Sequence, residues 1–287
     1  MNPSPLEQVR DERLGGVRLA LKRDDLIDPE ITGNKWRKLK HNLARARTGT
    51  LLTFGGAYSG HIRAVAAAGR RYGFATIGVI RGEEHLPLNP SLAYARGCGM
   101  RLTYLDRTAY RAKHTPEVAA RLHAAFGDFD LIPEGGSNAA AVLGCAELPA
   151  EIADDFDVIC CPVGTGGTLA GIAAGLPPGR RALGFAVLKG AGFLAEEVAR
   201  LQREAYGTVS GNWALDLDFH FGGYARVPPE LSAFAGDFEA RHGLAVERIY
   251  VAKMLYGVYA LAASGAFAPG TRVVAVVTGG PAVPVPP

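Results

Sequence analysis

The sequence predicts an α/β protein with mostly parallel, twisted sheets, and three observations lead there. Short β-rich runs alternate with alanine- and leucine-rich stretches of helical spacing, the alternation that builds parallel sheets. Runs such as Val273–Val277 are apolar without interruption, as strands covered on both faces are. Glycine-rich strings stand where a strand gives way to a helix, the position at which open α/β sheets bind ligands. A chain of 287 residues can bury a large core and suits two domains or one large one.

In chain order, Thr32-Gly33-Asn34-Lys35-Trp36-Arg37-Lys38-Leu39 opens an amphipathic helix. At about 100° per residue, Trp36, Leu39, Leu43 and Ala46 share one stripe, with Lys35 within roughly 60° of its centre and Arg37, Lys38 and Arg45 pointing away. Thr50–Phe54 reads as a strand, Ile62–Tyr72 as the helix after it, and Ala75–Ile80 and Arg101–Leu105 as further strands. Pro116–Phe126 has helical spacing. Strand Asp157–Val163 then precedes helix Leu169–Leu176, strand Ala182–Val187 precedes helix Gly192–Ala205, and helix Lys253–Ser264 leads to strand Arg272–Val277. The tail Pro281–Pro287 is too rich in proline for a helix and is expected to run extended over the surface.

Composition narrows the function. Apolar residues make up 48% and charged residues 21%, as in a soluble globular protein. A net charge of +3, with dispersed lysines and arginines and no aromatic-flanked basic block, argues against nucleic acid as a partner. Cys98, Cys145, Cys160 and Cys161 form no C-x-x-C and no pairing with histidine at metal-ligand spacing, so no metal site is expected. Cys160 and Cys161 lie in an apolar run and read as small core residues. The start has no apolar signal-like region and no segment approaches the length of a membrane span, so a cytoplasmic protein without membrane contact is expected.

The chemistry concentrates in a lysine and three loops. Lys35, at the edge of an inward stripe, loses hydration, which lowers its pKa and frees a nucleophilic amine of the kind that condenses with a carbonyl cofactor. The alternative is a lysine whose stem merely covers apolar surface. Gly164-Thr165-Gly166-Gly167-Thr168 joins a strand to a helix with glycines that allow close backbone approach, hydroxyl donors and a free helix start, a fit for phosphate. It matches neither a P-loop nor G-x-G-x-x-G, and could also be a tight turn alone. Gly55-Gly56-Ala57-Tyr58-Ser59-Gly60-His61 offers Ser59 and His61 at a helix N-terminus, suited to a substrate carboxylate, unless Ser59 is only a cap and His61 only a packing residue. Pro133-Glu134-Gly135-Gly136-Ser137-Asn138 has the same look with less specificity. Ser59–His61 lacks the G-x-S-x-G elbow of a hydrolase. An inward lysine, a phosphate loop and a carboxylate loop together suit an amino acid held on pyridoxal phosphate.

These strings resemble the fold-type II pyridoxal-phosphate enzymes, and among them the 1-aminocyclopropane-1-carboxylate deaminase/D-cysteine desulfhydrase family. The resemblance runs through Lys22–Leu26, Gly33-Asn34-Lys35, Gly55–His61, Pro133–Asn138, Gly164–Thr168, Tyr250 and Thr278-Gly279-Gly280. It implies a homodimer of two-domain subunits, with residues 1–40 and 139–287 forming a large cofactor-binding domain and 41–138 a small α/β domain. It implies that Lys35 bonds the cofactor and, once released, removes the α-proton of a small amino acid. Gly164, Thr165, Gly166, Gly167 and Thr168 would hold the phosphate, Ser59, Gly60 and His61 would meet the substrate, His61 would also meet the cofactor, and Tyr250 with Tyr224 would stand at the leaving group. Two positions depart from the pattern. Gly60 stands where the family has asparagine and offers no amide to the cofactor's phenolic oxygen, and Val251 stands where ring-opening deaminases carry a glutamate. A hydroxyl, for which Thr278 is the candidate, would then face the pyridine nitrogen. The implied reaction is β-elimination from a D-cysteine-like amino acid to pyruvate, ammonia and sulfide. The alternatives are deamination of 1-aminocyclopropane-1-carboxylate, a protein that binds the cofactor without turnover, and a phosphosugar or nucleotide protein in which Lys35 is structural.

Overall fold

The structure is a computed structural model that describes residues 3–280. Among the described residues, ten strands form two sheets. The six-stranded sheet contains β1 (Leu6–Val9), β2 (Arg18–Lys22), β7 (Val158–Val163), β8 (Arg181–Ala186), β9 (Trp213–Asp216) and β10 (Arg272–Val276), in the order β1-β2-β10-β7-β8-β9. Only its edge strand β1 runs antiparallel to its neighbour. The four-stranded sheet is parallel throughout, in the order β5-β4-β3-β6, from β3 (Thr50–Gly55), β4 (Ala75–Arg81), β5 (Arg101–Leu105) and β6 (Asp130–Ile132).

Helices cover both faces of each sheet. Within the excursion that builds the smaller sheet lie α2 (Gly60–Tyr72), α3 (Pro90–Gly97), α4 (Arg107–Arg111) and α5 (Pro116–Phe126). Before it comes α1 (Asn34–Arg45), and after it α6 (Ala139–Cys145), α7 (Gly167–Gly175), α8 (Leu194–Tyr206), α9 (Pro229–His242) and α10 (Val251–Ala263). The period of two along each strand divides the core. On β10, Val273 and Ala275 pack with α9 and α10, whereas Val274 and Val276 pack with α7 and α8. Cys160 and Cys161 are adjacent on β7, so they enter opposite cores, both fully buried and both thiols pushed up in pKa by that burial. This is the core role their apolar run suggests.

The α/β class and the parallel sheets agree with the sequence, and the bounds given there for strands and helices lie within two residues of the observed ones. Four strands and several helices are additional. β2 ends in Lys22, whose charge disguises a fully buried position, and β6 has only three residues. Two residues of α1 depart from the expected orientation. Leu39 is fully buried and Trp36, Leu43 and Ala46 pack beside it, but Arg37 and Lys38 are buried too instead of facing solvent. Polar partners enclose those faces: Arg37 pairs with Asp24 and Glu151, and Lys38 donates to the Gly135 carbonyl and the Ser137 hydroxyl. A hydrophobic stripe identifies only the side of a helix that meets apolar neighbours. Residues 281–287, expected to be extended, lie outside the described residues.

Candidate active site

Strand order locates the site. In the smaller sheet, β3 lies between β4 on one side and β6 on the other, so the connections leaving the carboxyl ends of β3 and β6 diverge and open a crevice. In the larger sheet the same reversal occurs between β7 and β10. The four segments beyond these strand ends are 55–61, 133–138, 164–168 and 278–280, the first three singled out by their glycines and the last by the family resemblance.

Direct contacts join them. Ser137 and Thr165 share a hydrogen bond of 2.6 Å between their hydroxyls. A Cβ added to Gly135 would fall 2.7 Å from the Thr165 Oγ1, and one added to Gly167 would fall 2.6 Å from the Ser137 Oγ. Side chains there would drive the two sheets' loops apart. Gly33, at φ +64, is packed so closely on the end of β10 that an added Cβ would fall 1.8 Å from the Thr278 carbonyl oxygen. That approach aims the start of α1 at the crevice, and the Asn34 amide donates to the same carbonyl at 3.1 Å.

Lys35 is partly buried in the first turn of α1. Its Nζ donates to the Asn34 Oδ1 at 2.9 Å, and Asn34 in turn donates through Nδ2 to the Thr168 Oγ1 at 2.9 Å. One side chain thus ties the amine to the glycine turn. Desolvation, helped by the charge of Lys38, lowers the Lys35 pKa to about 7. Lys38, which the sequence reading turned outward, sits against Gly135 and Ser137 and so adds an ammonium beside the 164–168 turn. Its spacing of three from Lys35 on one helix, next to a neighbouring loop, is the signal that could have found it.

The 164–168 turn can hold an anion. Gly166 caps α7 in the left-handed region at φ +78 without a side-chain hydrogen bond to the helix, which leaves the first-turn N–H groups for a ligand. Gly164 permits Tyr250 to lie close, since a Cβ there would be 3.1 Å from the tyrosine ring. On the opposite side, Ser59 caps α2 by accepting from the Ile62 amide at 3.4 Å. His61 is 2% exposed, with Nε2 on the Thr53 hydroxyl at 2.9 Å and Nδ1 buried without a partner. Burial and the charges of Lys35 and Lys38 keep this imidazole neutral, well below its usual pKa. Gly60 faces open space, with nothing within 4 Å of an added Cβ. The Tyr250 and Tyr224 rings meet edge to face at 5.9 Å, and burial and Tyr224 raise the Tyr250 pKa. Val251 is fully buried in the core. Thr278 is buried where β10 ends, against Gly33.

Together these groups offer a nucleophilic amine, an anion cradle distant in sequence yet joined to it by one asparagine, which reaches Thr168 across 134 residues, and a neutral histidine with an unused nitrogen. The donor set fits an aldehyde cofactor carrying a phosphate. Among the described residues, no group of three or more His, Cys, Asp or Glu side chains could hold a metal ion, and no helix is long and apolar enough to cross a membrane.

Comparison with known proteins points to the same cofactor. A family model described as pyridoxal-phosphate dependent enzyme matches residues 1–279. A Pyrococcus furiosus protein provisionally named 1-aminocyclopropane-1-carboxylate deaminase is 31% identical over 93% of this chain and 86% of its own length. A Klebsiella pneumoniae protein named D-cysteine desulfhydrase is 28% identical over 89% of this chain and 84% of its own. Among solved structures, one described as an ACC deaminase homologue superposes with a TM-score of 0.82 at 27% identity, covering 96% of this chain and 89% of that one.

Proposed function

The chain belongs to the pyridoxal-phosphate dependent enzymes, and on that premise we propose that it eliminates a β-substituent from a small amino acid, most simply D-cysteine, which with one water yields pyruvate, ammonia and sulfide. The observation that carries this reading is the Lys35 amine, brought to a pKa of about 7 and bridged through Asn34 to Thr168. Pyridoxal phosphate, when bound, supplies a conjugated sink for the electron pair left by the α-proton. The 164–168 turn, with Lys38 beside it, would bind the phosphate. Lys35 would bond the aldehyde carbon and, once released as a free amine at neutral pH, take the α-proton on its Nζ. The start of α2 with Ser59 would bind the substrate carboxylate, the Tyr250–Tyr224 pair would face the leaving group, and His61 would present Nδ1 to the cofactor. Thr278 would offer its hydroxyl to the pyridine nitrogen. We further propose a cytoplasmic homodimer whose subunits divide at about residues 40 and 139, as the family resemblance implies.

Deamination of 1-aminocyclopropane-1-carboxylate is the second reading, and the relatives' names favour both. Val251 weighs against it, because no carboxylate follows Tyr250, and the nearby Glu247 carboxylate accepts from the backbone amides of Ile249, Tyr250 and Val251. The test is to supply the protein, loaded with pyridoxal phosphate, with D-cysteine, L-cysteine and 1-aminocyclopropane-1-carboxylate. Pyruvate and sulfide from a cysteine, and loss of a borohydride-reducible adduct in Lys35→Ala, are expected. 2-Oxobutanoate as the sole product would establish the second reading, and a Lys35→Ala protein with full turnover would overturn both.

A further inference from the structure

Lys253 is a fully buried lysine, 0% exposed, on the core-facing side of α10 three residues after Tyr250. Burying an ammonium among apolar side chains is costly unless its protons are satisfied. Its Nζ donates to the carbonyl of His220 at 2.9 Å and to that of Gly223 at 2.8 Å. Both carbonyls belong to the loop that presents Tyr224.

That loop cannot hold its shape through intrinsic preference. Phe221 and Ala225, neither of them glycine, sit in the left-handed region at φ +52 and +59, and Gly222 and Gly223 follow at +86 and +116. Conformations of this kind persist only where surroundings over-determine them. Other contacts contribute: Phe221 packs on Tyr256 at 4.8 Å, and the Gly222 amide donates to the His220 Nδ1 at 2.9 Å. Tyr224 itself is 43% exposed and packs on Tyr250, which stands at the head of the helix that carries Lys253. The lysine therefore fastens the loop of one tyrosine to the helix of the other.

We propose that Lys253 is a positioning residue for the candidate site: its two hydrogen bonds fix the strained 220–225 loop and thereby hold Tyr224 against Tyr250 at the leaving-group side of the substrate. The assignment of that side rests on the reading given above, whereas the tether itself does not. Lys253 touches neither substrate nor cofactor in this scheme and acts only through Tyr224.

The experiment compares Lys253→Met, Lys253→Gln, Tyr224→Phe and the Lys253→Met/Tyr224→Phe double variant as holoenzymes. In Lys253→Met, cofactor absorbance and borohydride labelling of Lys35 should be unchanged, while amide exchange across 220–226 should rise about tenfold or more and that of α7 should not. With D-cysteine, kcat should fall about tenfold with KM nearly constant, Lys253→Gln should recover part of the loss, and the double variant should be no slower than the slower single one. Multiplicative losses in the double variant, or unchanged loop exchange in Lys253→Met, would overturn the proposal. Should both Lys253 variants fail to fold, exchange in the wild-type protein decides: protection of the Gly222–Ala225 amides comparable to that of α10 supports the tether, and rapid exchange there refutes it. If Tyr224→Phe alone leaves turnover and the amino-acid-induced change in the cofactor band untouched, the assigned role of Tyr224 fails, yet the exchange result still tests the tether.

Discussion

At the scale of single residues, the site depends on two lysines on one helix turn with opposed tasks. Burial contributes most to the depressed Lys35 pKa, and the charge of Lys38 contributes next. Replacing Lys38 with methionine should therefore raise the midpoint at which Lys35 becomes nucleophilic from about 7 to a higher value still short of 10.5. Competitive labelling of Lys35 in the apo-protein across pH 5–10 would measure this, and an unmoved midpoint would leave desolvation as the only cause. Lys35 was legible in the sequence through the stripe of Trp36, Leu39 and Leu43. Lys38 and Arg37 were not, because periodicity registers apolar neighbours and is blind to a face buried by carbonyls and carboxylates. The orphaned Nδ1 of His61 was equally invisible, since the Thr53 hydroxyl that meets Nε2 and the glycine at 136, which leaves room for the ring, lie elsewhere in the chain.

At the scale of elements, close backbone approach decides how helices pack around the site. Gly144 of α6 faces α1 so closely that an added Cβ would fall 2.0 Å from the Arg37 carbonyl oxygen. Gly171 and Gly175 of α7 meet α6 in the same manner. Gly236, in the middle of α9, has nothing within 4 Å. The same substitution should then act in opposite directions. Gly144→Ala should destabilise by about 1–3 kcal/mol or more through overpacking, and Gly236→Ala should stabilise by about 0.5–1 kcal/mol through helix propensity. Urea unfolding of the two variants checks both signs. Most strands and helices near the site were readable because each carries its own pattern over five or more residues. β1, β6 and β9 were missed because they have only three or four residues and their pairing partners rather than their own residues make them strands, and β2 because the charge of Lys22 hides a buried position.

At the scale of the whole molecule, a buried ionic network joins parts of the chain that are far apart in sequence. The Arg37 guanidinium binds Asp24, 0% exposed at its side chain, and also Glu151, which in turn accepts from Lys22, while Ser4 donates to Asp24. Arg37→Ala would leave the Asp24 carboxylate buried and uncompensated, and a loss of about 3–5 kcal/mol is expected. Glu151 has the further property that burial pushes its pKa up, but hydrogen bonds and charge from Arg37 and Lys22 bring it below the ordinary 4.5. A carboxyl with a depressed folded pKa stabilises fully above the unfolded value and loses that contribution as pH falls through the folded one. Stability should therefore decline below about pH 4.5, and Glu151→Gln should flatten that decline in unfolding curves measured from pH 3 to 6. The network was not legible, because Asp24 lies 13 residues from Arg37 with a helix start between them and Glu151 lies 114 residues from Arg37, so neither pairing carries a local signature.

The pairing of β2 with β10 has a consequence for biosynthesis. Lys22 is matched with Val276, so one strand waits during synthesis for a partner made 254 residues later. The smaller sheet, whose strands span residues 50–132 without interruption, can assemble on the ribosome while the larger one still lacks β10, the third strand in the order β1-β2-β10-β7-β8-β9. Gly33 and Asn34 have no Thr278 carbonyl to dock on until then. Until β10 is made, the nascent chain thus lacks the carbonyl that aims the reactive amine toward its anion cradle.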